Sequence, residues 1–141
     1  MTVQKAIFEF QLAQPTAVAP GTPERFTGDV LVGAVVEGSG EGYTVYEVHF
    51  ETGARTVWHQ HVGEQLLVGL TGVCVVQFDG RPSRSLMPGE AIRIPAGVRH
   101  WHGAGSRIPA SHLALNAPGP TACGVPVAPE AYALAASVEG V

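Results

Sequence analysis

Between residues 30 and 116 the chain runs in short stretches where apolar and polar positions alternate, each closed by glycine, proline or Asp79-Gly80. A two-residue period puts successive side chains on opposite faces, which is the signature of a strand with one face on a core. In 43–50, Thr44, Tyr46, Val48 and Phe50 share an uncharged face, and Tyr43, Val45, Glu47 and His49 share the other. The uncharged face is expected inside. Further strands are expected at 30–36, 56–61, 65–70, 73–78, 91–94, 98–102 and 111–116. Asp79-Gly80 is a hairpin signal. Only 129–136 admits a short helix. Strands of five or six residues at close spacing predict an all-β, single-domain jelly-roll barrel, with residues 29–120 as its body.

The two ends read differently. Residues 13–23 hold three prolines and predict an extended arm. Before it, Ala6, Phe8, Phe10 and Leu12 share one strand face, too apolar for a free tail. They belong either to an extra strand of the same barrel or to one exchanged with a second subunit. Residues 1–28 are thus taken as N-terminal strand and arm, 121–141 as a C-terminal segment, and a homodimer or higher homo-oligomer is expected.

Composition narrows the function. Charged residues make up 14% of 141, against about 25% in an average domain, which also favours a covered surface. A net charge of −4 and a single lysine, Lys5, argue against nucleic acid or an anionic membrane as partner. The first ten residues lack the apolar core of a signal peptide. Cys74 and Cys123 form no C-x-x-C pair and are expected as reduced thiols of a cytoplasmic protein.

The chemistry concentrates in two segments, G-A-R-T-V-W-H-Q-H-V-G-E-Q-L-L-V-G-L-T-G from Gly53 and G-E-A-I-R-I-P-A-G-V-R-H-W-H-G-A from Gly89. His59 and His61, two apart on a strand, can reach one ion together, with Gln65 beyond a turn and His100 from a neighbouring strand. Glu64 is the stronger ligand chemically, but adjacent strand residues face opposite ways, so Gln65 is preferred. Three imidazoles and an amide are all neutral, so a divalent ion would keep its full charge and act as a strong Lewis acid. His102, two past His100, and His112, on a face with Ala114 and Asn116, are candidate proton carriers. The alternative for His102 is to orient His100. Tyr46, Val48 and Asn116 are candidate substrate contacts. Arg55 shares the parity of His59 and His61, so it could anchor an anion, although a rim salt bridge is the expected role. Trp58 and Trp101 should point away from the ion. Arg81, Arg84 and Arg107 read as solvated charges in turns.

Both segments resemble the two motifs of the cupin family, in which Gly53, His59, His61, Gly72, Gly89, Pro95, Gly97 and His100 fall on the pattern. Gln65 stands where most cupins carry glutamate, and Ala104 where many carry asparagine. The H-W-H-G-A and S-H-L-A-L runs, with Phe26-Thr27-Gly28, are similar to small single-domain bacterial cupins with a His/His/Gln/His centre, among them manganese-dependent hydroxynitrile lyases. The resemblance implies one divalent ion per chain, manganese first, with iron, nickel, cobalt or zinc as alternatives. It implies a lyase acting on a small hydroxylated molecule. A sugar-acid isomerase or ring-opening enzyme, a ferrous oxygenase and a non-catalytic binding module are the competing readings.

Overall fold

The computed structural model describes residues 16–36 and 42–138. Among them are thirteen strands, numbered in chain order, and one short helix. One antiparallel sheet holds β1 (Thr16–Pro20), β3 (Val30–Val36), β4 (Thr44–Phe50), β12 (Ala110–Asn116), β7 (Gln65–Thr71) and β10 (Ala91–Ile94), in that order. The second runs β13 (Thr121–Cys123), β6 (His59–His61), β11 (His100–Ala104), β5 (Arg55–Thr56) and β2 (Phe26–Thr27). In addition, β8 (Cys74–Phe78) pairs with β11 and with β9 (Arg84–Leu86). The two sheets curl into the expected jelly-roll barrel. β1, β2 and β13 lie outside 29–120 and pair with it, so both sheets draw on the chain's flanking segments. The apolar face of residues 6–12 lies outside the described residues.

β7 shows how alternation becomes architecture. Gln65, Leu67 and Gly69 are buried and Leu66, Val68 and Leu70 are half-buried, as a strand between two layers requires. The inward face of β4 also holds, with Val48 and Phe50 in the barrel core and Tyr46 packed against it. That core is completed by Val30, Leu67, Val76, Ile94 and Ala114.

A second apolar cluster lies outside the barrel. Val75, Trp101 and Val127 pack there with Tyr132 and Ala135 of α1 (Pro129–Ala135). Pro129 suits the start of α1 because a helix's first amide has no intrahelical acceptor to lose. The Tyr132 hydroxyl donates to Ala104 O at 2.7 Å and ties the helix to β11. Trp101 is fully buried against it, which is why β11 is buried on both faces.

Four expectations need correction. The strand expected over 56–61 is broken. Val57 N bonds Arg25 O and Trp58 N bonds Val125 O, both outside the ladder. The break inverts the parity of Arg55. Its guanidinium donates to Gly53 O and Val127 O and lies 4.3 Å over the Tyr132 ring. Arg55 therefore supports the helix cluster, lies outside the lining of the site and forms no salt bridge among the described residues. The strand expected at 98–102 starts two residues later, after the turn in which Val98 N bonds Pro95 O. Arg84 lies in β9 instead of a turn, though it is exposed as expected.

Candidate metal centre

β6, β7 and β11 bring the four expected ligands together. His59 and His61 point into the barrel from β6, and His100 pairs directly with His59 across β6 and β11. One ring nitrogen from each of the three histidines lies within 4.8 Å of the others. The His59 and His100 rings are 4.2 Å apart between centroids. Gln65 enters from the opposite sheet and is 4% exposed. Glu64 faces solvent and pairs with Arg93.

Hydrogen bonds fix which atoms face inward. His59 Nδ1 donates to Val57 O at 2.8 Å and His100 Nδ1 to Val98 O at 2.9 Å. A carbonyl can only accept, so both rings carry their proton on Nδ1 and present Nε2 as a lone pair. His61 Nδ1 is 2.8 Å from Thr121 Oγ1, and its Nε2 is buried without a partner. The Gln65 amide nitrogen donates to Asn116 Oδ1 at 2.8 Å, which turns Oε1 toward His100 Nε2 at 3.0 Å. Two acceptors thus face each other, and a divalent cation satisfies both at once, together with the unpartnered His61 Nε2. The residues fit such an ion.

Electrostatics prepare the same state. Burial lowers His59 to about 3, aided by His100, and burial lowers His100 to about 4 despite the Val98 carbonyl. Burial also lowers His61, against the Gln65 amide. Neutral imidazoles are the form that binds metal.

His102 and His112 form a second pair. His112 Nε2 and His102 Nδ1 are 2.9 Å apart, so one ring donates to the other. Both rings are buried, and burial is the main cause holding both below the ordinary histidine value, His112 at about 4. His102 Nε2 is unpartnered, and His102 lies 5.2 Å from His59 and 5.6 Å from His100 between ring centroids. Phe50 lies 5.3 Å from the His112 ring.

A cavity of about 290 Å³ opens onto these groups. His59, His61 and His102 line it from one sheet, with Gln65, Tyr46, Val48 and Asn116 on the opposite sheet. His112 is not among its lining residues; it sits behind His102. Trp58 and Trp101 point away, toward the helix cluster. Thr56, Thr121 and Arg25, which sequence reasoning missed, also face the cavity. Thr56 does so because of the break at Val57, which no alternation pattern announces. Thr56 Oγ1 also accepts from His102 N at 3.1 Å. Cys123 lines the mouth as an exposed thiol, whereas Cys74 is buried and pushed up to about 12 by that burial.

Known proteins share the fold of this chain. Residues 46–115 match the model of the cupin domain. The chain is 32% identical over 101 residues to an (R)-mandelonitrile lyase of Granulicella tundricola, covering 71% of this chain and 77% of that protein. A cupin-like protein of Thermotoga maritima shares 34% identity, with 87% of this chain and 95% of that chain covered at a TM-score of 0.79. The polyketide cyclase RemF of Streptomyces resistomycificus shares the fold at 19% identity, with 87% and 90% covered and a TM-score of 0.67.

Proposed function

The chain belongs to the cupin family, and from that premise we propose that it is a metal-dependent lyase that cleaves small 2-hydroxynitriles or closely related hydroxylated molecules without oxygen. The observation that carries the reading is the neutral convergence of three Nε2 atoms and the Gln65 Oε1 beside the unpartnered His102 Nε2. The likeness to a mandelonitrile lyase supports the reaction class. A divalent ion held by His59, His61, Gln65 and His100, manganese in the first instance, would supply Lewis acidity that lowers the pKa of a substrate hydroxyl.

The chain's own groups handle the proton. His102 is neutral near pH 7, since burial and the neighbouring rings disfavour its charged form. With Nδ1–H donated to His112 Nε2, His102 presents Nε2 as a base at the cavity wall. The hydroxyl proton moves to that nitrogen, the O–H electron pair becomes the carbonyl π bond, and the bond to the nitrile carbon breaks with its electrons on cyanide. The proton then returns from His102 to cyanide, so the products are an aldehyde and hydrogen cyanide. His112 acts through His102 by holding its tautomer and ring orientation. Tyr46, Val48 and Asn116 shape the opposite wall.

Anaerobic assay of mandelonitrile cleavage tests the reading. Metal-loaded protein should release benzaldehyde and cyanide, and chelated protein should not. His102→Ala should keep its metal and lose on the order of 100-fold in rate, the scale for a positioned base. Strict dependence on oxygen, or undiminished turnover by the chelated protein, would overturn it.

A further inference from the structure

Among the described residues that line the cavity, Arg25 is the one with a permanent charge, and none is an aspartate or glutamate. The turn that carries it is pinned. Arg25 N and Phe26 N both bond Thr22 O, at 3.0 and 2.9 Å, and Arg25 O accepts from Val57 N at 2.9 Å. Phe26 then pairs with Thr56 across β2 and β5. The backbone of residue 25 is thereby anchored to Val57, which lies two residues ahead of His59. Among the described residues its guanidinium has no carboxylate partner; the ion pairs there are Glu47–His49, Glu64–Arg93 and Asp79–Arg99.

Neutral ligands would leave a bound divalent ion uncompensated, and Arg25 adds a further positive charge to a cavity that no described acid lines. Phe26, Val32, Val48 and Ala114 give the same cavity an apolar wall. We propose that Arg25 is a specificity residue that binds a carboxylate of the physiological substrate, whose class is therefore a small hydroxylated carboxylic acid with an apolar body. The carboxylate takes charge-assisted hydrogen bonds from the guanidinium, the apolar body lies along Phe26 and Val48, and the hydroxyl is directed to the ligand cluster. Neutral hydroxynitriles would then be turned over without engaging Arg25. The inference rests on the cavity being the substrate site of the proposed lyase.

Binding separates this from catalysis. Mandelate and its neutral counterpart mandelamide would be titrated calorimetrically into manganese-loaded wild type, Arg25→Gln and Arg25→Lys. In Arg25→Gln the ratio of mandelate to mandelamide affinity should fall about tenfold, the scale of one charge-assisted contact. Mandelamide affinity and metal content should stay unchanged, and Arg25→Lys should keep part of the preference. Raising the salt concentration should narrow the wild-type ratio, because Arg25 is at the solvent-facing rim. A ratio unchanged within about twofold in Arg25→Gln would mean that the ion alone attracts the anion, and the assignment would be overturned. A protein inactive on every hydroxynitrile that still showed the Arg25-dependent ratio would fail as a nitrile lyase and keep its carboxylate site.

Discussion

Acidification should unfold the metal-free protein far earlier than its low content of charged residues suggests. His59, His100 and His112 are buried and neutral, at about 3, 4 and 4, while the same side chains in the unfolded chain titrate near 6.5. Between those values the unfolded state binds more protons than the folded one, so stability falls as pH falls. The loss begins near pH 6.5 and saturates for each group only once its folded value is passed. At pH 5 an unfolded histidine is almost fully protonated and a buried one almost not at all, which costs about 2 kcal/mol per group relative to neutral pH. Three such groups amount to about 6 kcal/mol, comparable with the whole stability of many domains. His102 and His61 shift in the same direction and add to the loss.

Urea unfolding followed by tryptophan fluorescence reads this directly, because Trp101 is fully buried in the folded state. In the presence of chelator the unfolding midpoint should fall steeply between pH 7 and 5, and the slope of stability against pH should correspond to the uptake of two or more protons. A stability that stays flat within about 1 kcal/mol over that interval would refute the neutral buried cluster, and with it the preparation of the site for metal.

Other perturbations test separate parts of the structure. Protein that has never met a metal column should carry about one divalent ion per chain, and alanine at His59, His61 or His100 should abolish tight binding, as elemental analysis would show. Gln65→Glu should retain metal but lower lyase turnover by about tenfold, since a carboxylate weakens the Lewis acidity of the ion; equal or higher anaerobic turnover would contradict the role given to the amide. Gly103→Ala should destabilise by about 2 kcal/mol or more in thermal or urea unfolding, because its Cβ would lie 2.6 Å from Arg55 Cα and against Ala54 O. Light scattering should give a dimer or larger assembly for the full chain and a smaller species once the first 12 residues are removed; a monomeric full-length chain at micromolar concentration would contradict the exchange of that segment.

Local spacing made the candidate ligands legible before the fold was known. His59 and His61 are two apart on one strand, Gln65 opens a strand whose alternation holds to its end, and His100 closes a glycine-proline turn. Each of these relations spans a few residues, within which a strand preserves parity. Parity fails where a bond from outside the ladder breaks a strand. The bonds from Val57 to Arg25 and from Trp58 to Val125 come from residues over 30 and over 60 positions away, so the alternation of 55–61 could not show that Arg55 faces the helix and Thr56 the cavity. Thr121 and Arg25 escaped for a related reason. They sit in segments whose prolines and glycines mark them as connections, and only pairing with β6 and β5 brings them to the site.

Gln65 shows why the choice of an amide depends on its neighbours. Alone, an amide oxygen is a weaker ligand than a carboxylate, and a free amide could turn its nitrogen toward the ion instead. Asn116 Oδ1 accepts from that nitrogen at 2.8 Å and commits Oε1 to the ligand cluster. Asn116 in turn pairs with Gln65 across β12 and β7, so the contact is set by strand register. An acid at position 65 would place carboxylate oxygen against Asn116 Oδ1 and force the Asn116 amide to turn over. The neutrality of the centre is thus written into two strands, and it leaves the positive charge of a bound ion, together with Arg25, to act on whatever enters the cavity.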